Sequence, residues 1–263
     1  MKAPVVDMTT DSAWEEWGRL DPYFGVITEP QFRRSNINEN SRQEFFDSGG
    51  SHVNYVLTTV RKHIDAAFSP RTILDFGCGV GRLLVHFATV ANDVLGLDVS
   101  PSMLLESRKN CDERGLRNVR LLPSDDALST LSESFDLVHS SIVLQHIPVE
   151  RGRRIFAKLL RHVRPGGVGS IQLTYSKSIF SATNGVAPPA SPVAARGGDK
   201  GNSDPEIQMN PYNINEILWL MQHRGVTRFY TEFTDHGGEL GLFLFFQAPP
   251  ASLPGLSAST QSK

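Results

Sequence analysis

The sequence predicts an α/β fold, a doubly wound and mostly parallel sheet of seven strands closed by an antiparallel terminal hairpin. Three observations predict it. Short apolar runs of strand length alternate with stretches of helical periodicity through most of the chain. A glycine-rich turn, Gly77-Cys78-Gly79-Val80-Gly81, joins the first apolar run to a helix. Two β-rich runs near the end, Thr227 to Thr234 and Leu240 to Gln247, are joined by a short Gly-Gly connection, the mark of a hairpin.

At 263 residues the chain is long enough for a single α/β domain with a full core and insertions. Its net charge of −2 gives no electrostatic reason to expect nucleic acid or an anionic membrane as partner. The series Arg151, Arg153, Arg154, Arg161 and Arg164 reads as a solvated helix face. Two cysteines, Cys78 and Cys111, rule out a disulfide framework and a thiolate metal site. No leader-like pattern opens the chain and no apolar stretch has membrane-spanning length, so a soluble, cytoplasmic protein is expected.

Residues 1–53 are expected to form an N-terminal helical cap on a domain spanning 54–247. Trp14, Trp17 and Leu20 recur at helical spacing after Asp11-Ser12, a candidate N-cap, and Asp21-Pro22 breaks that helix. From Asn54 to Phe68, Val56, Leu57, Val60 and Ile64 give one apolar helix face, which Ser69-Pro70 stops.

Thr72 to Phe76 is the first strand and runs into the glycine turn. Glycine is needed where backbone N–H groups face a ligand that comes closer than a Cβ permits. The glycines run G-x-G-x-G, not the G-x-G-x-x-G of a dinucleotide fold, and Asp75 precedes them. A carboxylate there repels a pyrophosphate but can help hold an ammonium group, so the pattern fits S-adenosylmethionine better than a nicotinamide dinucleotide. The stretch Asp75 to Gly81 resembles the first motif of the class I S-adenosylmethionine-dependent methyltransferases. Val94 to Asp98 is the second strand, ending in an acid about twenty residues after the turn, where a ribose-binding carboxylate sits in such folds.

Ser100-Pro101 starts a helix that Gly115 closes. The resemblance implies that a residue near Met103 packs on the adenine ring; core packing accounts for it equally well. Val119 to Leu122 is the third strand, and the resemblance implies that an acid in the next loop, Asp125 or Asp126, accepts a hydrogen bond from the adenine amino group. Ser134-Phe135-Asp136, an apolar fourth strand and the tail Leu144-Gln145-His146-Ile147-Pro148 resemble a large group of bacterial small-molecule methyltransferases. A helix with Ile155, Phe156, Leu159, Leu160 and Val163 inward ends at the turn Arg164-Pro165-Gly166-Gly167, before a fifth strand from Gly169 to Tyr175. The Pro-, Gly- and Ser-rich segment 176–211 is either a lid over the acceptor or disordered. Asn213 and Glu216 then form a capping-box-like pair for a helix buried through Ile214, Ile217, Leu218 and Met221, and residues 248–263 read as a disordered tail.

The resemblance implies a Rossmann-like methyltransferase fold. It also implies a cofactor site built from Asp75, Gly77, Gly79, Gly81, Asp98, Met103, Asp125, Asp126 and Ser141, and an N-terminal segment that can fold over the cofactor. His146, just past the fourth strand, is the candidate base; His236 and Tyr175 are weaker ones. Metal-dependent catechol methyltransferases place acids after the fourth and fifth strands; Ser140-Ser141 and Tyr175-Ser176 stand there instead, so no metal is expected. The expected reaction is O-methylation of a small molecule, with an N-acceptor open. Two rival readings share the turn and the acid: an NAD-linked oxidoreductase, and a catalytically silent domain that binds S-adenosylmethionine.

Overall fold

A computed structural model describes residues 10–186 and 204–251. Seven strands form one sheet in the order β3-β2-β1-β4-β5-β7-β6. They are β1 Thr72–Phe76, β2 Asp93–Asp98, β3 Val119–Pro123, β4 Phe135–Ser140, β5 Val163–Lys177, β6 Phe229–Asp235 and β7 Glu239–Gln247. Strands β1 to β5 pair in parallel, whereas β7 runs antiparallel to both β5 and β6, so the sheet is the one the sequence predicts.

The central strands β1, β2, β4, β5 and β7 read as largely buried runs because both faces are covered, whereas edge strand β6 has alternate residues exposed. Side-chain alternation divides them cleanly. Ile73, Val94, Leu137 and Phe245 face a core shared with helices α3 (Glu39–His63) and α4 (Leu84–Val90) and with Cys111 of α5 (Pro101–Glu113). Leu74, Leu95, Val138 and Leu244 face the opposite core, filled by α6 (Val149–His162) and α7 (Ile214–His223). The sheet order reverses between β1 and β4, the switch point outside whose carboxyl ends open α/β sheets bind ligands.

Several elements depart from expectation. The helix expected from Asn54 begins at Glu39 and runs 25 residues, so position 53 falls inside it. Its N-cap is Asn38, which accepts from the Ser41 backbone N–H while Ser41 accepts from the Asn38 N–H. Asp11 and Ser12 lie within α1 (Thr10–Leu20) and do not cap it, and Leu20 is exposed. The expected turn at Arg164 to Gly167 lies inside β5, which starts at Val163 and takes a register irregularity there. Asn213 does cap α7, accepting from the Asn215 N–H, but Glu216 closes no capping box; it pairs with Arg153. That pairing, with Arg151 on Asp126 and Arg164 on Asp136, limits the solvated face read for the arginine series, of which Arg154 and Arg161 are exposed. Of the expected lid, 187–203 lies outside the described residues, as does 252–263 of the expected tail. No helix among the described residues is long and apolar enough to cross a membrane.

Candidate active site

A cavity of about 490 Å³ opens at the switch point, within the size range of small-molecule and cofactor sites. Its floor is the carboxyl end of β1 with the glycine turn; its roof is the N-terminal segment, through Thr10, Asp11, Trp14 and residues 25–29. The turn keeps its shape because Gly77, Gly79 and Gly81 take φ of +76°, +52° and +84°, which L side chains rarely adopt. Gly77 and Gly79 line the cavity, and a Cβ on either would strike Val143 or Val26. Gly81 stands outside it: a Cβ there would meet the Ser107 hydroxyl of α5, so this glycine serves helix packing.

Asp98 ends β2 and lines the cavity. One of its oxygens accepts from the Gly79 N–H at 2.8 Å, the other from the Ser100 N–H at 2.9 Å. Burial pushes its carboxyl up to about 6, opposed by the Ser100 and Gly79 hydrogen bonds and aided by the nearby charge of Asp75. Met103, one turn into α5, is buried beneath the roof and lines the same wall. Its helix starts as predicted, with Ser100 Oγ accepting from the Met103 N–H.

Asp75 lies under the turn and is also a cavity residue. Its Oδ1 accepts from His139 Nδ1 at 2.8 Å, and His139 Nε2 lies 3.0 Å from His52 Nε2. Burial, then His139 and Arg82, draw the His52 pKa down to about 2, so His52 is neutral. With His139 donating to Asp75, its Nε2 lone pair accepts the Nε2–H of His52. Arg82 follows the turn and lines the cavity; its Nη1 donates to Ser48 Oγ at 3.2 Å, and its buried Nε has no hydrogen-bond partner among the described residues.

Asp125 and Asp126 both reach the cavity wall, yet each has protein partners. Asp125 is exposed and caps its own turn, accepting from the backbone and hydroxyl of Ser129. Asp126 takes a two-pronged contact from Arg151, which also holds Asp11 of α1 at 2.9 Å. Arg151 thus ties the roof to the β3 loop. Glu15 ties it again, accepting from Ser100 Oγ, Ser102 Oγ and the Ser102 N–H at the start of α5.

Ser141 and His146 line the cavity beyond β4. His146 is buried, its Nδ1 donates to the Gln208 carbonyl at 2.8 Å, and its ring lies 5.1 Å from that of Trp14. His236 lines the cavity as well, whereas Tyr175 does not and packs near Phe233. Between β4 and His146, Ile142 holds φ of +59°, a rare conformation for a β-branched residue, with its N–H donating to Gln172 Oε1 at 2.9 Å. The Asp75–His139–His52 chain, Arg82, Arg151 and Ile142 are the features sequence reasoning missed. Only the interruption of apolar β4 by His139 gave a signal.

The comparisons with known proteins agree with this geometry. A family described as a methyltransferase domain matches residues 73–167. Over those residues the chain is similar to methyltransferase domains. The stretch holds β1 to β4 and the site residues from Asp75 to His146. A trans-aconitate 2-methyltransferase of Deinococcus radiodurans is 37% identical to the chain over 103 residues, covering 38% of the chain and 37% of the relative. A ubiquinone biosynthesis O-methyltransferase of Hydrogenovibrio crunogenus is 32% identical over 137 residues, covering 51% and 56%. The chain thus spans little more than half of these relatives' lengths, or less. Among solved structures, a magnesium protoporphyrin IX methyltransferase from Synechocystis with S-adenosylmethionine bound superposes with a TM-score of 0.57 at 16% identity, covering 94% of the chain and all of its own. That likeness is one of fold, and it extends beyond residues 73–167 to nearly the whole chain.

Proposed function

We propose that the protein is an S-adenosylmethionine-dependent methyltransferase that methylates an oxygen of a small-molecule acceptor without a metal ion. The observation that carries this reading is the charge of the cavity wall. Six carboxylates line it, Asp11, Glu29, Asp75, Asp98, Asp125 and Asp126, against the guanidiniums of Arg82 and Arg151. Such a wall favours a cofactor with a sulfonium and an ammonium group, and repels a pyrophosphate. The unspent Nε of buried Arg82 suits a single carboxylate.

In this reading Asp98 accepts the ribose hydroxyls, Asp75 faces the ammonium, Arg82 the carboxylate, and Met103 the adenine. Asp126 is the better placed of the two loop acids to contact adenine, because Arg151 holds it while Asp125 turns to Ser129. When bound there, the cofactor supplies an electrophilic methyl carbon. The roof, which we assign to an N-terminal cap, excludes water through Trp14 and residues 25–29. His146 takes the acceptor's proton: the bond from Nδ1 to Gln208 keeps that proton in place and leaves the basic lone pair on Nε2. Serines after β4, where metal-dependent enzymes carry acids, support the metal-free form. A net charge of −2 gives no electrostatic pull towards nucleic acid, in keeping with a small-molecule acceptor in the cytoplasm.

Titration calorimetry tests this reading. S-adenosylmethionine and S-adenosylhomocysteine should bind and NAD should not; each binder at a hundred times its Kd should stabilise the fold by about 2.7 kcal/mol. Binding of NAD with no heat from either adenosyl ligand would overturn it.

A further inference from the structure

We infer that the acceptor is a flat, apolar molecule that carries no carboxylates of its own and is methylated at an acidic hydroxyl, phenolic or enolic in kind. The inference rests on the methyltransferase reading above and goes beyond it to the acceptor class.

Apolar side chains make up much of the cavity wall to which His146 belongs. Ile142 and Val143 lead into it from β4, and Trp14 lies 5.1 Å from its ring. Ile207 and Met209 flank Gln208, whose carbonyl holds His146 Nδ1, and these five apolar side chains line the cavity together with Ile27. The polar groups nearby are mostly committed within the protein. Gln145 Oε1 accepts from Thr174 at 3.1 Å and from Gln172 at 3.3 Å, and Gln172 Oε1 holds the Ile142 N–H. A sugar, which needs a partner for each of several hydroxyls, is poorly matched to this wall. A polycarboxylate is matched worse: Arg151 is already shared by Asp11 and Asp126, and Glu29 adds a further negative charge.

The proton chemistry points the same way. A free imidazole titrates near 6.5 and a phenol near 10, a gap of about 3.5 units, whereas an alkyl hydroxyl resembles water at about 15.7, a gap of about 9 units. A neutral His146 therefore takes a phenolic or enolic proton against a smaller deficit than an alkyl one as the bond to carbon forms, which makes the acidic hydroxyl the easier acceptor. As the acceptor oxygen bonds to the methyl carbon, its proton passes to His146 Nε2 and the electron pair of the breaking carbon–sulfur bond stays on sulfur.

The experiment uses the full chain, with 1,4-dihydroxynaphthalene, citrate and glucose as acceptor probes. Binding is followed by calorimetry on protein saturated with S-adenosylhomocysteine, and turnover by release of that product from S-adenosylmethionine. The naphthalene diol should bind and be methylated, and citrate and glucose should do neither. His146→Ala should lower turnover of the diol about 100-fold at neutral pH, with the loss shrinking as the pH nears the phenol's own pKa. Methylation of citrate or glucose at a comparable rate, or failure of the diol to be methylated by protein that binds the cofactor, would overturn the inference while leaving the methyltransferase reading intact. Failure of the cofactor itself to bind would remove both.

Discussion

The Asp75 carboxylate and the His139 imidazole meet at 2.8 Å beneath the glycine turn, both almost wholly shielded from water. The Asp75 charge at the cavity is therefore held from below by a ring, and that ring is held by His52 from α3. His139→Phe keeps the volume but leaves a buried carboxylate oxygen without its donor. A loss of about 1.5–3 kcal/mol is expected in urea unfolding. His139→Asn, which restores an N–H, should recover part of it; equal stability of wild type and His139→Phe would show that the hydrogen bond contributes nothing.

In the proposed site, Asp98 governs how cofactor binding depends on pH. Its carboxyl sits near 6 in the fold and near the ordinary 3.8 when exposed, so the folded state takes up a proton that the unfolded chain does not. Its contribution to stability is full below about 4 and is lost as the pH rises through 6. Cofactor affinity runs the other way, since the ionised form accepts the ribose hydroxyls. Below pH 6 the association constant should fall about tenfold per unit. Calorimetry between pH 5 and pH 8 checks this, and an affinity flat across about that range would remove Asp98 from the ribose site.

Arg151 ties the roof down by two half-exposed ion pairs, to Asp11 and Asp126. Solvent screens each, so Arg151→Met should cost only about 0.2–1 kcal/mol per pair in global stability. Its effect should appear locally, as faster amide exchange in α1 and weaker cofactor binding at low salt. Unchanged exchange in residues 10–20 would show that Glu15 alone fastens the roof.

His146→Ala should separate chemistry from binding. Turnover should drop by about two orders of magnitude while the Kd for S-adenosylhomocysteine stays within about twofold. Unchanged turnover would take the residue out of the mechanism.

The sheet was legible because its signals are local: apolar runs, a glycine turn and an acid at the end of β2 each announce themselves within a few residues. What escaped depends on neighbours distant in sequence. α3 runs straight through Gly49-Gly50, where glycine is required because the Arg82 carbonyl lies where a Cβ on Gly49 would stand. Pro165-Gly166-Gly167 reads as a turn, and the chain does bulge there: the register of β5 on β4 jumps from Val163 to Val168 and the ladder with β7 starts only at Val168, so the turn is absorbed within one strand. Among the site residues, Asp75 and Asp98 follow from their places at strand ends. The roof over them could be raised only as a possibility, because nothing in Trp14 or Asp11 names Arg151 or His146 as its partner, 140 residues away in the case of Asp11.

The excess of carboxylates along the cavity wall also bears on what happens after transfer. In the proposed reaction the ligand enters with a positive sulfur and leaves with a neutral one. The wall that draws the reagent in thus loosens its hold on the spent form at the moment of use. Product inhibition should be mild, and should grow stronger as added salt masks the wall's preference for the charged reagent.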